Sequence, residues 1–578
     1  MADNPIPGPS RPKRPTIRDP KRLTEDEMLS LMFYSDSEEE PYQESDSDWS
    51  GAEDAERAIA ENDDQPGQVV SDLEEGDPEQ MEEEVPLETI VNWLENPPNL
   101  KKIPFTGRQE LKVGIPGEGK PIDFFKLLAD DEFFDLLISQ TNDYAELVFL
   151  NDRNPGPHSR ISRWKPVDKQ EISRFLGLIF LMGIIQVPRL RDYWRTDRFY
   201  NLAFRNYMSR NRFLVVLRCL HFAHNPQEGE PRPADRLHKV RTLVDFFNHK
   251  MFAIYSPQKN LSIDESMLLW RGRLLFRQYI KNKKHKYGVK FYLLTESNGT
   301  IMKLQIYTGA ADDMGGKGHA ANVVLHLASD YLDKGYSIYM DNYYNSVRLA
   351  RQLLNRMTYC TGTLRAGRKE TPGDVSKAKL KVGESVQRYG GHVCVGKWKD
   401  KRDVLYITTE HENTLQEVTS TSGNTKMKPT PIAEYNKYMS GIDLQDQIMA
   451  YYPSHRKTIR WYKKVGLHII EMMLYNSFML YNKFSSPKLS YLDYRHSVIE
   501  SLLPDPTTST TAKPTSDDLH LPSKCEVAES GRKLRKRCRW CSQQGIRKDS
   551  QYYCAKCPET PGLCLELCFE SFHKNIAK

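Results

Sequence analysis

The order of hydrophobic and polar positions divides the chain into a helical part and a β-rich part. Between residues 99 and 257, apolar side chains recur at the three- and four-residue spacing of amphipathic helices. The longest apolar run, Phe175 to Val187, is too short to span a bilayer and is predicted to be a buried helix. Asp168 with Glu171 three residues later is the pattern of an N-cap at the start of that helix. Further helices are predicted over 121–139, 209–222 and 239–254.

After Pro257 the pattern becomes β-rich. Ser297-Asn298-Gly299 separates two apolar runs and is typical of a hairpin turn. Helical patterns at 317–334 and 345–356 surround a short apolar strand that ends just before Asp341. An antiparallel hairpin combined with alternating strands and helices predicts an α/β or mixed-sheet domain. Strands are predicted for Leu261–Trp270, Tyr287–Thr295, Thr300–Tyr307 and Tyr336–Met340.

The remaining segments differ in composition. Residues 366–430 are polar and Lys-rich and have the pattern of short strands, as expected of an insertion, and helices resume at 431–450 and 459–482. Residues 503–524, rich in Pro, Thr, Ser and Asp, are predicted to be a linker. The first 98 residues are rich in Pro, Ser and acidic side chains and are predicted to be disordered.

Charge is distributed unevenly along the chain. Residues 1–100 hold 28 Asp and Glu against 7 Lys and Arg, whereas the remaining 478 residues hold 49 against 75. A basic body of this size attracts polyanions, of which nucleic acid is the most common, although an ordinary basic protein has the same balance. We expect the acidic arm to compete weakly with phosphates for that body.

Three aspartates stand out by their surroundings. Asp264 lies within the first predicted strand, Asp341 follows an apolar strand, and Asp443 lies at the start of a helix with Asp446 three residues further on. Carboxylates in such places can converge on two divalent cations about 3.5–4 Å apart that stabilise phosphodiester displacement, and such hard oxygen ligands suit Mg²⁺ or Mn²⁺. Spacing alone is weak evidence, because the chain has 77 acidic residues and strand-end aspartates are commonly turn or cap residues.

The short sequence motifs around these aspartates are more specific, and they resemble the motifs of the piggyBac family of transposases. The resemblance runs from about residue 120 to the C-terminus, and the motifs follow one another in the same order as in the family. The matching stretches are Ser262–Ser266 with Trp270–Arg273, Tyr339–Ser346, Tyr435–Gln447, and Arg456–Thr458 leading to Trp461.

The resemblance implies a multidomain α/β protein. It has an RNase H-like catalytic core interrupted by an insertion domain, a helical dimerisation and DNA-binding domain, and a C-terminal zinc-binding finger. The implied divisions are a disordered arm at 1–98, helical segments at 99–257 and 454–502, core segments at 258–365 and 431–453, the insertion at 366–430, a linker at 503–531, and a basic segment with the finger at 532–578.

The resemblance also implies the chemistry. Asp264, Asp341 and Asp443 match the metal-binding catalytic triad, and Asp446 matches an accessory aspartate. The implied activity is cut-and-paste transposition of double-stranded DNA: a nick at the transposon end, a hairpin intermediate, and joining into a TTAA target. A homodimer or larger assembly on paired transposon ends, in the nucleus, is expected.

Several basic and aromatic residues are candidate DNA contacts. Trp461 is a candidate base-stacking residue, and the alternative is that its ring is buried at a domain junction. Cations near the catalytic words can neutralise phosphates. The candidates are Arg271, Arg273, Arg365, Arg368, Lys369, Arg456, Lys457 and Arg460.

The cysteine spacing near the C-terminus predicts a metal-binding finger. Two Cys-x2-Cys pairs are typical of the turns that place two thiolates on one Zn²⁺. Seven candidate ligands exceed one tetrahedral site and fall one short of two, so one or two zinc ions are expected. An eighth ligand would be Cys525, a distant His or water. The seven candidates are Cys538, Cys541, Cys554, Cys557, Cys564, Cys568 and His573.

Alternatives remain for both parts. The basic run Arg532–Arg537 is typical of a nuclear localisation signal or a DNA-backbone contact. Family resemblance assigns the finger to transposon-end DNA, and chromatin binding is the rival. For the whole chain, the alternatives are a domesticated DNA- or chromatin-binding protein and a metal-dependent nuclease unrelated to transposition. The intact triad argues against the first, and the finger argues against the second.

Overall fold

The structure is a computed structural model, which describes most of the chain beyond the acidic arm. The expected disorder of residues 1–98 falls outside the described residues, apart from 92–96. The described ranges are 92–96, 100–115, 117–151, 161, 164–226, 231, 233–280, 286–309, 314–316, 318–419, 425–454, 460–504, 520–527, 533–565 and 567–576.

The first part is mainly helical, as predicted. Asp168 caps the third helix by accepting a hydrogen bond from the Glu171 amide at 2.8 Å. The Glu171 carboxylate binds Arg212 at 2.6 Å and so ties this helix to a later one. The elements are β1 (Glu110–Leu111), α1 (Pro121–Leu128), α2 (Asp131–Asn151), α3 (Lys169–Ile184), a 3₁₀ turn (Leu190–Trp194), α4 (Phe204–Tyr207), α5 (Arg210–Cys219) and α6 (His238–Ile254).

A nine-stranded mixed sheet follows, with helices between its strands. The predicted hairpin is present, because β5 and β6 pair antiparallel around Gly299. The elements are β2 (Tyr255–Ser256), β3 (Asn260–Leu269), β4 (Gln278–Tyr279), β5 (Tyr287–Glu296), β6 (Ile301–Ile306), α7 (His319–Ala328), β7 (Ser337–Met340), α8 (Val347–Asn355) and β8 (Tyr359–Thr363).

The segment predicted to be an insertion adds strands to this same sheet. β11 pairs antiparallel with β8, and the sheet then continues through β10 to β9. The full order is β4-β5-β3-β7-β8-β11-β10-β9, with β6 also paired to β5. The added elements are α9 (Gly373–Ser376), β9 (Ser385–Gly390), β10 (Val393–Lys399), β11 (Asp403–Thr408), and a separate hairpin of β12 (Leu415–Thr419) with β13 (Thr425–Pro429).

Four helices complete this part of the protein. The helix predicted over 431–450 is two helices, α10 (Thr430–Tyr438) and α11 (Gly441–Met449), separated at Met439 and Ser440. They are followed by α12 (Trp461–Phe484) and α13 (Tyr491–Leu502). No helix among the described residues combines the length and apolarity needed to cross a bilayer.

The long helix α12 joins the helical part to the sheet. It is buried along most of its length and packs on α1 and α6, while α13 packs on α3. One hydrophobic cluster includes residues of all these helices and of the sheet. Within it the Arg495 guanidinium, 0% exposed, binds Glu471 at 3.3 Å, Ser454 Oγ at 2.9 Å and the Phe180 carbonyl at 3.1 Å. A charge buried so deeply needs these partners, so the network fixes the chain at Ser454, just before α12.

Small elements at the C-terminus belong to the cysteine-rich segment. They are β14 (Pro522–Lys524), β15 (Lys536–Arg537), α14 (Arg539–Gln543), β16 (Asp549–Ser550), β17 (Tyr552–Cys554) and α15 (Cys568–Ile576). Their core consists of four cysteines with Leu563 and Phe572, which is too little apolar surface for stability without further cross-links.

Candidate active site and metal centres

The pairing of β3 with β7 brings the first two aspartates together. The two strands are parallel, and Ile263 is the partner of Met340. The next residue on each strand is an aspartate, so Asp264 and Asp341 lie side by side where β7 ends, at the strand spacing of about 4.8 Å. Each carboxylate accepts a nearby amide, Asp264 from Glu265 at 2.9 Å and Asp341 from Tyr343 at 2.9 Å. These bonds orient both side chains.

Helix α11 carries the other two aspartates against the same strand. A Cβ on Gly441 would lie 2.3 Å from the Glu296 carbonyl oxygen, so only glycine allows this close approach of helix and sheet. One turn further on, Ser266 Oγ of β3 donates to Asp446 Oδ1 at 2.5 Å. Asp443, between these two contacts, is exposed. The helix is therefore fixed at both ends while Asp443 remains open to solvent.

One partly buried tyrosine identifies the common neighbourhood of the triad. Burial raises the pKa of Tyr435, on α10, to about 12, and the nearby carboxylates of Asp341, Asp264 and Asp443 add to that rise. All three carboxylates are therefore close enough to act on one phenol. Carboxylate oxygens are the hard ligands that divalent cations such as Mg²⁺ and Mn²⁺ prefer in proteins.

The turn after Asp341 is held by a buried amide. Asn345 Nδ2 donates to the carbonyls of Met340 at 2.9 Å, Asp341 at 3.2 Å and Thr363 at 3.0 Å, which joins the ends of β7 and β8. A Cβ on Gly362 would lie 1.8 Å from the Met340 carbonyl oxygen. The position of Asp341 therefore depends on a glycine in the neighbouring strand.

We expect Gly362→Ala to lower the free energy of unfolding by about 1–3 kcal/mol, the usual range for overpacking a core. The added methyl group must push β7 and β8 apart, because the atom it meets belongs to the backbone. Urea denaturation measures the effect. Gly367→Ala is the matched control, since a Cβ there meets no atom within 4 Å. Equal stability of both variants would contradict this account.

The three candidate DNA contacts that follow β8 have different settings. Arg365 and Lys369 are exposed, and Arg365 Nε contacts Asn342 Oδ1 at 3.3 Å. Arg368 is 5% exposed and donates to the Tyr343 carbonyl at 2.5 Å. In this structure Arg368 fixes the turn from inside, so the open basic surface consists of the other two.

The candidate DNA contacts near the start of α12 and after β3 also differ in their exposure to solvent. Trp461 is partly buried, with its ring perpendicular to that of Phe276 at 5.2 Å, so its side chain lies at a junction as in the alternative considered for it. Arg271 and Arg273 are exposed after β3, and Arg460 is partly exposed just before α12. Arg456 and Lys457 lie outside the described residues.

The finger contains two four-ligand sets. Finger site A consists of Cys538, Cys541, Cys564 and Cys568, and finger site B consists of His520, Cys554, Cys557 and His573, with the ligand atoms of each set within 4.8 Å of one another. The cysteine pairs alternate between the sets along the chain, which is a cross-braced arrangement. Both sets have the ligand number and type of a closed tetrahedral zinc site.

Of the three candidates for an eighth ligand, the distant histidine is the one that the structure places with the cysteines: His520 completes finger site B, and Cys525 is not part of either set. Pairing of β14 with β17 places Pro522 opposite Cys554 and so brings His520 to the second cysteine pair. His520 Nδ1 lies 3.2 Å from both Cys554 Sγ and Cys557 Sγ, and Cys557 Sγ lies 3.2 Å from His573 Nε2. His573 Nδ1 contacts the Phe569 carbonyl at 2.6 Å, which orients Nε2 toward Cys557, where it would serve as the ligand of a bound zinc ion.

Comparison with known proteins supports the assignment of both regions. The family described as Transposase IS4 matches residues 120–478, and the family described as DDE_Tnp_1-like zinc finger matches residues 518–574. Human PiggyBac transposable element-derived protein 3 is 27% identical over 398 residues, covering 66% of this chain and 64% of that protein. Human PiggyBac transposable element-derived protein 2 is 25% identical, covering 63% and 62%. The chain therefore spans less than two thirds of the length of either relative.

A solved structure shares the fold. The piggyBac transposase synaptic complex with hairpin DNA, determined by cryo-electron microscopy, superimposes with a TM-score of 0.61 at 24% identity and covers 79% of this chain and 98% of that chain. The first family match alone covers more than half of the sequence, and it contains all four aspartates. The chain belongs to the piggyBac transposase family.

Proposed function

We propose that the protein is a cut-and-paste DNA transposase that excises an element through hairpin intermediates and joins it into TTAA sites. The observation that carries the proposal is the register of β3 and β7, which sets Asp264 beside Asp341. Helix α11, which packs on β3, carries Asp443 on the same side of the sheet. The strand order β6-β5-β3-β7-β8, with an antiparallel first half and a parallel second half, supports an RNase H-like core.

The four aspartates have distinct roles in this proposal. Asp264, Asp341 and Asp443 would hold two Mg²⁺ or Mn²⁺ ions, which stabilise the attacking and leaving oxygens of an in-line displacement at phosphorus. Asp446 is held by Ser266 and so keeps α11 at its angle to β3. Three amide or hydroxyl donors therefore orient acidic side chains before DNA binds, which lowers the reorganisation needed for reaction.

Each proposed step exchanges one P–O bond for another. Water attacks at the element's end and frees a 3′-hydroxyl, which attacks the opposite strand to form a hairpin and releases the flanking DNA. Water then opens the hairpin, and the regenerated 3′-hydroxyl attacks the target. No covalent bond to the protein is required, so the protein acts by positioning phosphates and orienting carboxylates.

Exposed basic residues that follow β3 and β8 support a double-stranded DNA partner. Arg365 and Lys369 follow β8, and Arg271 and Arg273 follow β3, and all four are exposed. In this proposal the partly buried Trp461 stacks on a base of the distorted end only after its ring leaves Phe276. The exposed residues Lys533–Arg537 support nuclear import or a backbone contact by the finger. We propose a dimer or larger assembly in the nucleus, because cut-and-paste transfer requires two ends.

A second candidate is an element-derived DNA-binding protein without recombination activity. It is favoured by the two human relatives, which are named as transposable element-derived proteins. The four aspartates and their supporting bonds are all present here, and a protein without catalysis has no need of them. Transposition therefore remains the first proposal.

The deciding experiment is excision from a plasmid that carries the terminal repeats flanking the encoding element. We expect repaired donor plasmid with an intact TTAA, and hairpin-ended element DNA on denaturing gels when the purified protein is supplied with Mg²⁺. A protein that binds these ends and yields neither product would establish the second candidate instead.

A further inference from the structure

The first turn of α12 has a charge pattern opposite to the one that stabilises a helix. The helix is 24 residues long, so its N-terminal end carries a partial positive charge from the aligned peptide dipoles. Acidic side chains favour such a turn, but this one contains no acid, and Arg460 at the N-cap provides no side-chain acceptor for the amides. Lys463 and Lys464 add two cations instead. The turn is therefore suited to a bound anion.

The two lysines of this turn differ in what surrounds their ammonium groups. Both are largely buried, with Lys463 7% and Lys464 9% exposed. Lys463 Nζ donates to the carbonyls of Leu217 at 3.0 Å and Arg218 at 2.6 Å, at the end of α5. Of the lysines in the described part of the chain that are less than a tenth exposed, Lys464 alone makes no side-chain hydrogen bond, ion pair or cation–π contact. The cost of burying its charge is therefore not offset by a partner.

The loop after β3 brings a further cation to Lys464. The Phe276 ring packs against that of Trp461 at 5.2 Å, and Trp461 lies three residues before Lys464, on the same face of α12. Arg277 Nη1 donates to the Arg271 carbonyl at 2.9 Å, which fixes this loop. Burial lowers the pKa of Lys464 to about 8, and the nearby charge of Arg271 contributes to that decrease. The fold thus holds two cations close together at the positive end of a helix.

The arrangement is open to solvent on one side. Arg271 is exposed. Among the described residues, the unpaired side-chain nitrogens that are fully closed to water do not include Lys464 Nζ, so the ammonium reaches the surface although its carbon stem is buried. An anion can therefore reach both cations without any displacement of the helix.

We propose that Lys464, Arg271 and the N-terminal end of α12 bind one phosphate of the DNA backbone. The phosphate oxygens accept from the ammonium and the guanidinium together, which offsets both the repulsion between the cations and the cost of burying Lys464. Trp461 lies in the same turn, so the phosphate belongs to a nucleotide next to the base on which that ring stacks in the proposed function. The inference rests on the proposed function, because it takes DNA as the partner, but it requires no cleavage.

The first test counts phosphate contacts. Binding of a fluorescent duplex that carries the transposon end is measured against salt concentration in an Asp264→Asn background, where no strand is cut. We expect Lys464→Met, which keeps the length of the buried stem, to reduce the slope of log affinity against log salt by about one, the effect of losing one phosphate contact. Lys303→Met is the matched control, because it removes the same charge from a partly buried lysine that is paired with Asp330 at 2.8 Å. Its slope should equal that of the parent.

The second test uses pH to separate a charge that binds phosphate from a side chain that only packs. A bound phosphate raises the pKa of Lys464 above its value of about 8 in the free protein, so affinity is greatest below that pH and falls as pH rises through it. We expect a decrease of about 5- to 10-fold between about pH 7 and pH 9. Arg271, the described charged group that acts on Lys464, stays protonated over this range. Lys464→Arg should keep the salt slope and lose most of this pH dependence, because arginine remains charged.

The outcomes are distinct. An unchanged salt slope in folded Lys464→Met, or the same pH dependence in Lys464→Arg as in the parent, overturns the inference. If Lys464→Met does not fold, the pH comparison with Lys464→Arg decides alone. Absence of excision by the wild-type protein would instead overturn the proposed function, and the salt slope and pH dependence of end binding would still report on Lys464.

Discussion

Asp264→Asn is expected to abolish excision while leaving binding to the transposon ends within about twofold. The substitution removes one negative charge and one strong oxygen ligand but keeps the shape of the side chain and its contact with the Glu265 amide. Loss of one preorganised electrostatic group in an active site typically costs about 10²–10³-fold in rate. Excision counts and gel-shift titrations of the same preparation measure the two quantities.

The control must share the chemistry of the change without the position. Asp333→Asn serves, because Asp333 lies before β7, away from Asp341, where it pairs with Arg356 at 2.6 Å on the surface. We expect it to excise at the wild-type level. Asp341→Asn should reproduce the Asp264→Asn phenotype, since the two carboxylates lie in register. Excision by Asp264→Asn at the wild-type level would remove Asp264 from the catalytic role.

The strands of the central sheet could be predicted from the sequence, but the pairing that makes the site could not. Periodicity located every end of β3 and β7 to within about one residue. Nothing in a local pattern states that Ile263 is the partner of Met340, because strand register is set by contacts between distant segments. From the sequence, only the resemblance to the family motifs predicted that Asp264 and Asp341 belong to one site.

Burial also separates residues that look alike in sequence. Arg365 and Arg368 are both cations in one polar stretch, yet the first is exposed and the second is buried against the Tyr343 carbonyl. Lys290 lies in an apolar strand, and the three tyrosine rings around its ammonium group belong to three separate segments of the chain. Composition reports charge, whereas the role of each charge depends on which partners the fold supplies.

The strands at 385–408 give a related example. Their polar, Lys-rich texture with short strands predicts an insertion, and it does not indicate that the described strands extend the main sheet through the pairing of β11 with β8. A sheet edge accepts further strands through backbone hydrogen bonds alone, so side-chain composition is a poor guide to where a sheet ends.

In the finger, by contrast, most of the candidate ligands could be predicted from the cysteine spacing, and only one depends on the fold. Seven candidate ligands follow from the spacing, because several cysteine pairs with two residues between the cysteines are typical of zinc sites. His520 lies within the predicted linker, 18 residues before Cys538, and is brought to finger site B by the pairing of β14 with β17. The only signal available was arithmetic, since seven ligands leave one tetrahedral site incomplete.

Loss of His520 is therefore expected to remove one of two zinc ions. We expect about two zinc ions per full-length wild-type chain by elemental analysis, one in His520→Ala and one in Cys541→Ser, because these residues belong to finger sites B and A respectively. Cys525→Ser is the matched control, and it should retain two, since Cys525 lies close to His520 in sequence but belongs to neither set.

Zinc loss should also weaken end binding strongly. The apolar core of the finger is small, so metal binding supplies the free energy that holds the exposed basic residues Lys533–Arg537 in place. We expect chelation, or either ligand substitution, to reduce affinity for the transposon ends at least 10-fold and to make the segment after residue 520 sensitive to protease, while the rest of the chain keeps its melting temperature. Two zinc ions in His520→Ala would show that water or another side chain completes finger site B. Unchanged end binding by a zinc-depleted finger would assign end recognition to the basic surface around Arg365 and Lys369 alone.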